Sequence, residues 1–434
     1  MPSNRRITVP EAGSMNSKEI VYANLKSRID VVTQDFIQQR CDEKGNIKEQ
    51  NVDKDIFMGM KSLRRRVEEK ELLVIPTDKS SMLSVNTVEN YVDSMEAHVS
   101  KDTIISIEDK KHTEDVLNGH TIQLGRILRV GENHGHESRV KSALLNKSCH
   151  VPIMFGLAKN HKVTEPGQPV PHRPVCGADE ANNDQLSWLL SGVVTAVSGL
   201  MDKDIGTVCR STEEMLHAID EVNKRDDIKE LTVFSTDVSN MFPSLDIEEC
   251  AKITAKEFLD SELDINYDEE ELALYLAITI DRDKLAELGL TEVVHTRIKS
   301  GGSNIGITTK EILSRGPKSK SLFNKPVRQP TTTESRLMFS LALENLIKVA
   351  MSEHCYSFNS KLYKQSKGGA IGNILTGCLA VNYMLYWSRE FTKKLKLATS
   401  NIPSFMLYLM KIYIDDNNIV CESLPPGSRQ LTKL

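Results

Sequence analysis

Between Lys411 and Val420 the chain reads KIYIDDNNIV. Two short apolar runs flank four polar residues, Asp415, Asp416, Asn417 and Asn418. Runs of this kind on either side of an Asp/Asn cluster pair as antiparallel strands around a tight turn. The stretch therefore commits this part of the chain to an antiparallel hairpin, with Asp-Asp-Asn-Asn as its turn. Two readings of the adjacent carboxylates stay open at this point. One is a solvated surface turn, which Asp and Asn favour. The other is a metal site at the hairpin tip.

Two earlier segments bear on that choice. ELTVFSTDV is a β-branched strand ending at Asp237, with Phe242 five positions on and Pro243 stopping the run. Asp246 then stands as an N-cap with Glu249 three residues later, opening a helix through Leu259. Further on, KGGAIGN supplies Gly368, Gly369 and Gly372, followed by the apolar helix ILTGCLAVNYMLYW with Asn373 as its cap. Glycines let a backbone approach a ligand closely. This loop lacks the terminal Gly-Lys-Ser/Thr of a P-loop. An ordinary strand-to-helix connection accounts for it equally well.

The rest of the chain reads more coarsely. Residues 1 to about 20 read as disordered, and 21 to 70 as charged and helical. LLVIPTDKSSMLSV gives strand, turn, strand around Pro76 to Lys79. VPIMFGLAKNHKVTEPGQPVPHRPVCG is extended and carries Lys159, Lys162 and Arg173. Around Trp188 an apolar stretch of 14 residues reads as a buried helix, short of the about 20 needed to span a bilayer. From about Asn266 to Arg336 the chain reads as irregular. Within it, Ile305 to Pro330 holds six Lys/Arg against the single acid Glu311, a pattern read as a solvated loop. SFNSKLYKQS is a strand candidate.

Composition narrows the function classes. A net charge of −5 argues against nucleic-acid binding through bulk charge, so any such function needs local basic patches. None of the eight cysteines forms a CxxC pair, which excludes a zinc ribbon and points to a reducing, intracellular compartment, nuclear or cytoplasmic. No disulfide-linked partner and no membrane association are expected. The N-terminus has no apolar core of a signal peptide.

Read in order, TDVSNMF, QSKGGAIGN and YIDD resemble motifs A, B and C of reverse transcriptases. LLVIPTDKSSMLSVNTVENYVDSM, FGLAKNHKVTEPGQPVPHRPV and FNSKLYKQSKGGAIGN are similar to segments of the Penelope-like retroelement branch. The similarity runs from about 60 to 422. It implies an α+β right-hand polymerase, with an antiparallel palm sheet packed on helices. It also implies boundaries: an N-terminal extension over 1–69, fingers over 70–230, palm motif A over 231–261, a second fingers segment with a basic insertion over 262–350, and palm motifs B and C over 351–434. The implied activity is RNA-directed DNA synthesis from dNTPs on an RNA template and DNA primer. Asp237 and Asp415 would be the principal metal ligands, with Asp416 supporting. They would hold two Mg²⁺ ions, Mn²⁺ being an alternative, about 4 Å apart in an in-line displacement. Phe242 would exclude a 2′-hydroxyl. Arg173, with Lys79 and Lys159, would contact the triphosphate. The backbone of Gly368, Gly369 and Gly372 would line the nucleotide pocket.

The sequence departs from that family in three places. Asn373, Ile374 and Gly377 stand where the family has a small residue and prolines. The interval from Asp237 to Gln365 is long. The chain stops 18 residues after Asp416, so the thumb is expected to be missing, and no GIY endonuclease signature is present. These departures keep a second reading open, a catalytically inactive or domesticated remnant that binds nucleic acid. A nucleotide cyclase, which also uses strand-end carboxylates, leaves the HRPV and PTDKS stretches without a purpose.

Overall fold

The computed structural model describes residues 51–80, 82–128, 151–163, 165, 168–177, 181–205, 207–226, 231–294, 325–398, 407–413 and 416–422. The expected disorder before residue 20 and most of the basic stretch lie outside the described residues, as does Asp415. The protein is a mixed helix and sheet structure whose paired strands are antiparallel. It forms two compact units. The first is Met1–Ile107 with His150–Ala181 and Cys355–Ser366, and the second is Glu108–Cys149 with Asn182–His354 and Lys367–Leu434.

The first unit is built from small hairpins. Helix α1 (Asn51–Glu68) leads into β1 (Leu72–Pro76) and β2 (Leu83–Thr87), the strand–turn–strand expected around Pro76 to Lys79. Strand β2 alternates exposed and buried residues, as a strand with one covered face does. Thr87 ends it and caps α2 (Val88–Val99) by accepting from the Asn90 N–H. On α2, Tyr91, Met95 and Val99 recur every four residues and are buried. Strand β3 (Thr103–Ile104) follows. The extended Pro-rich stretch folds as a hairpin of β4 (Met154–Ala158) and β5 (His172–Cys176). Thr77 bridges to Ala158 at the end of β4, and Ser357 to Ile153 before its start.

The SFNSKLYKQS stretch is two strands rather than one. Residues Asn359 and Ser360 both take positive φ, 47° and 65°, and fold β7 (Cys355–Phe358) back on β8 (Lys361–Lys364). Two left-handed residues match the twist of a tight hairpin.

The second unit is a helical core carrying one sheet. Its helices are α3 (Ile107–Ile127), α4 (Asp184–Ile205), α5 (Thr212–Asn223), the single turn α6 (Met241–Ser244), α7 (Ile247–Asp260), α8 (Glu269–Thr279), α9 (Arg282–Glu287), α10 (Thr332–Ser352) and α11 (Ile374–Ala398). Leu190 of α4, Phe258 of α7, Tyr275 of α8, Leu346 of α10 and Leu379 of α11 share the core at 0–1% exposure. The stretch around Trp188 is a helix as expected, but buried on one face only, with Trp188 itself 46% exposed. Asp246 caps α7 by accepting from Glu249 N–H, as its spacing predicts. The described part of 266–336 is not irregular, however, because α8 and α9 lie in it. Five consecutive residues of α8, Leu272 to Leu276, are buried. A helix covered on all sides has no polar face to betray its period.

The sheet runs β6 (Leu231–Asp237), β10 (Asp416–Glu422), β9 (Leu407–Tyr413). Met410, Ile412 and Ile419 enter the main core, while Leu409 and Val420 pack on Val222 of α5. Segment 207–209 lies along β9, with Cys209 N–H donating to Ile412 C=O at 2.8 Å and Ile412 N–H to Thr207 C=O at 2.9 Å. The hairpin turn sits earlier than its composition suggests. Tyr413 pairs with Asp416, so Asp416, Asn417 and Asn418 belong to the strand and only two residues connect β9 to β10. Burial explains the shift: Asn417 is 2% exposed and shares a strand face with buried Ile419 and Cys421. No helix among the described residues is long and apolar enough to cross a membrane. The six cysteines among them are free.

Candidate active site

Pairing of β6 with β10 sets the first feature. Cα register places Asp237 opposite Asp416, and Asp416 opposite Tyr413. Both carboxylates are exposed. Neither has a hydrogen bond or ion pair among the described residues. Like charges facing each other across a strand pair repel. Hard, anionic oxygens presented together suit Mg²⁺ in kind, since it takes oxygen ligands and shares them with phosphates. The described residues contain no group of three or more His, Cys, Asp or Glu able to hold a metal. Asp415 lies outside the described residues.

After β6 the chain reverses through Asn240, which is left-handed at φ 52°, into α6. Asn tolerates that region better than most residues. Phe242 in this turn is half-buried and packs on the core of the second unit. The glycine loop closes directly on it. Gly369 N–H donates to Phe242 C=O at 2.8 Å. Gly368 has φ 66°, and a Cβ there would stand 2.3 Å from Pro243 O and 2.7 Å from Phe242 O. A Cβ on Gly369 would lie 2.4 Å from Thr376 Cγ2. Gly368 and Gly369 are buried, whereas Gly372 is exposed at φ 114°. Asn373 accepts from Leu375 N–H at 2.9 Å and donates to Ser187 Oγ at 3.3 Å, so it caps α11 as its position predicts.

The three cationic candidates lie in the first unit. Ala158 C=O accepts from Asp78 N–H at 2.9 Å, and Arg173 pairs with Leu157 one position earlier on β4. Lys159 N–H donates to Pro171 C=O at 2.9 Å. This register gathers Asp78, Lys159 and Arg173 at one corner. Arg173 Nε stands 2.8 Å from Asp78 Oδ1, with the arginine side chain 35% exposed and the aspartate 6%. The contact is an ion pair whose N–H direction does not make a hydrogen bond, and Asp78 Oδ2 is buried without a partner. Burial, then the charge of Arg173, pulls the Lys159 ammonium below its usual range, with Asp78 acting against them. Lys79 is exposed.

Beside this corner His172 is 1% exposed, and its ring meets Tyr91 edge-on at 5.1 Å. Burial, with His98 and Lys159 adding to it, pushes His172 down to about 4. Sequence reasoning passed over Asp78 as turn punctuation. Its signal was its place between an apolar strand and Lys79, within a stretch that also resembled the family.

No protein-family model matches the chain, and no curated protein matches it. Among solved structures it is weakly similar to the telomerase from Candida albicans in complex with a TWJ fragment of telomeric RNA. The TM-score is 0.40 at 12% identity, over 89% of this chain and 51% of that one. The chain thus spans about half the length of that telomerase. A likeness of this size supports no conclusion about the fold or chemistry here.

Proposed function

We propose that the chain is the RNA-directed DNA polymerase domain of a Penelope-like retroelement, working inside the cell. It would transfer a nucleotide from a dNTP to a primer 3′-hydroxyl on an RNA template. The carrying observation is the register of Asp237 against Asp416, two exposed carboxylates without partners among the described residues. The order of the motifs along the sequence supports it. Asp237, Asp415 and Asp416 would hold Mg²⁺, which when bound would supply Lewis-acid stabilisation of the attacking and leaving oxygens. Phe242 excludes a ribose 2′-hydroxyl. Arg173, Lys79 and Lys159 offer cationic groups to phosphate. In the reaction the 3′-oxygen forms a bond to the α-phosphorus, and the α–β phosphoanhydride breaks to release pyrophosphate.

The test is extension of a DNA primer on an RNA template with dNTPs and Mg²⁺, which the reading expects to proceed and to stop on chelation. Ile374 and Gly377, where the family has prolines, favour a second reading, a remnant that binds nucleic acid without synthesis. That reading expects salt-dependent RNA binding and no incorporation.

A further inference from the structure

We infer that Gly368 and Gly369 are positioning residues for sugar selection: they fix the main chain of Phe242. The inference rests on the proposed polymerase reading, in which Phe242 is the sugar gate. Three observations carry it. Gly369 N–H donates to the Phe242 carbonyl at 2.8 Å, whereas the contact made to that oxygen within the turn, from Leu245 N–H, is long at 3.4 Å. Gly368 leaves no room for a side chain, because a Cβ would stand 2.3 Å from the Pro243 carbonyl oxygen. Both glycines are buried against the 242–243 turn, while Gly372 is exposed.

The turn is therefore held from two sides. Left-handed Asn240 sets its entry, and the glycine loop sets its far side. A steric gate works by the position of its ring, and the ring follows its Cα. A methyl group at 368 cannot be absorbed by a flexible side chain, since the obstacle is backbone, so the 242–243 segment must move. At 369 the obstacles are side chains: Thr376, 2.4 Å from the added atom, which can be removed, and Met351 Cε at 2.9 Å, the far end of a flexible chain that can shift.

The experiment measures ribonucleotide against deoxyribonucleotide incorporation for the parent chain, Phe242→Ala, Gly368→Ala, Gly369→Ala and Gly369→Ala/Thr376→Ala, each checked for a cooperative melt. Phe242→Ala raises relative ribonucleotide use if it is the gate. Gly368→Ala is expected to raise it by about tenfold, the scale of a methyl-sized misfit in a specificity pocket. Gly369→Ala raises it as well, and Thr376→Ala restores the parental ratio in the double variant. If Phe242→Ala relaxes selectivity and folded Gly368→Ala and Gly369→Ala do not, the inference is overturned and the gate survives. If Phe242→Ala changes nothing, the gate assignment fails, and the inference fails with it. Should Gly368→Ala not fold, amide exchange in the unsubstituted protein decides. Slow exchange at Gly369 supports the link to Phe242, and exchange at the unprotected rate overturns it.

Discussion

Two aspartates follow or end apolar strands in this protein, and their surroundings are opposite. Asp78 lies just beyond β1 with its side chain 6% exposed, against the Arg173 guanidinium. Asp237 ends β6 in the open, opposite a second carboxylate at Asp416. The first negative charge is neutralised by the chain's own cation. The second faces another negative charge across the strand pair. Similar positions at strand ends thus have different surroundings: Asp78 is paired with a cation, and in the proposed reading Asp237 would offer its oxygens to a metal.

Substitutions break this contrast in a definite order. Arg173→Ala strands a buried carboxylate, so it should cost about 3 kcal/mol, the lower end for breaking a buried pair. Asp78→Ala leaves a guanidinium already one-third exposed, which water can reach, so it should cost about 1 kcal/mol. Denaturant melts of the two variants check the order; equal losses would show that Asp78 is not buried as described.

Acid should act on the same corner through His172. Its folded pKa is about 4, below the ordinary 6.5. Between those values the unfolded chain binds the proton and the folded chain does not, so stability falls as pH drops through that window. Below about 4 the loss is complete. His172→Phe should flatten this part of the acid limb, measured as melting temperature from pH 7 to 4.5. The charged groups facing it are His98 and Lys159, and both oppose its protonation.

The smallest effect is expected at the other aspartate, with opposite sign. Asp237→Asn removes a like-charge cross-strand pair, so without divalent cations it should stabilise by about 0.5 kcal/mol. Added Mg²⁺ should raise the melting temperature of the parent, by mass action, more than that of the variant.

Much of this was legible in the sequence where a local rule was strong. The strand ending at Asp237, the cap at Asp246 and the cap at Asn373 each follow from one residue's side-chain chemistry. What escaped depended on distant packing. Helix α8 hides its period because Leu272 to Leu276 are covered together. The hairpin turn moved because Asn417, polar by type, is buried in the strand. The partner of Asp78 is Arg173, 95 positions along, brought beside it by the pairing of β4 with β5. The close approach of the glycine loop to Phe242 and Pro243 joins segments about 125 positions apart and had no local signal.

In the proposed polymerase reading the strand-end carboxylates carry the chemistry. Its most direct measurement is Mg²⁺-dependent extension of a primer on an RNA template by the parent chain, Asp237→Ala, Asp415→Ala and Asp78→Ala. Asp237→Ala and Asp415→Ala should each lose about 10²- to 10³-fold, the scale of removing an electrostatic stabiliser of the transition state, while Asp78→Ala keeps measurable synthesis with a raised KM for dNTP. Undiminished synthesis by Asp237→Ala or Asp415→Ala would contradict it.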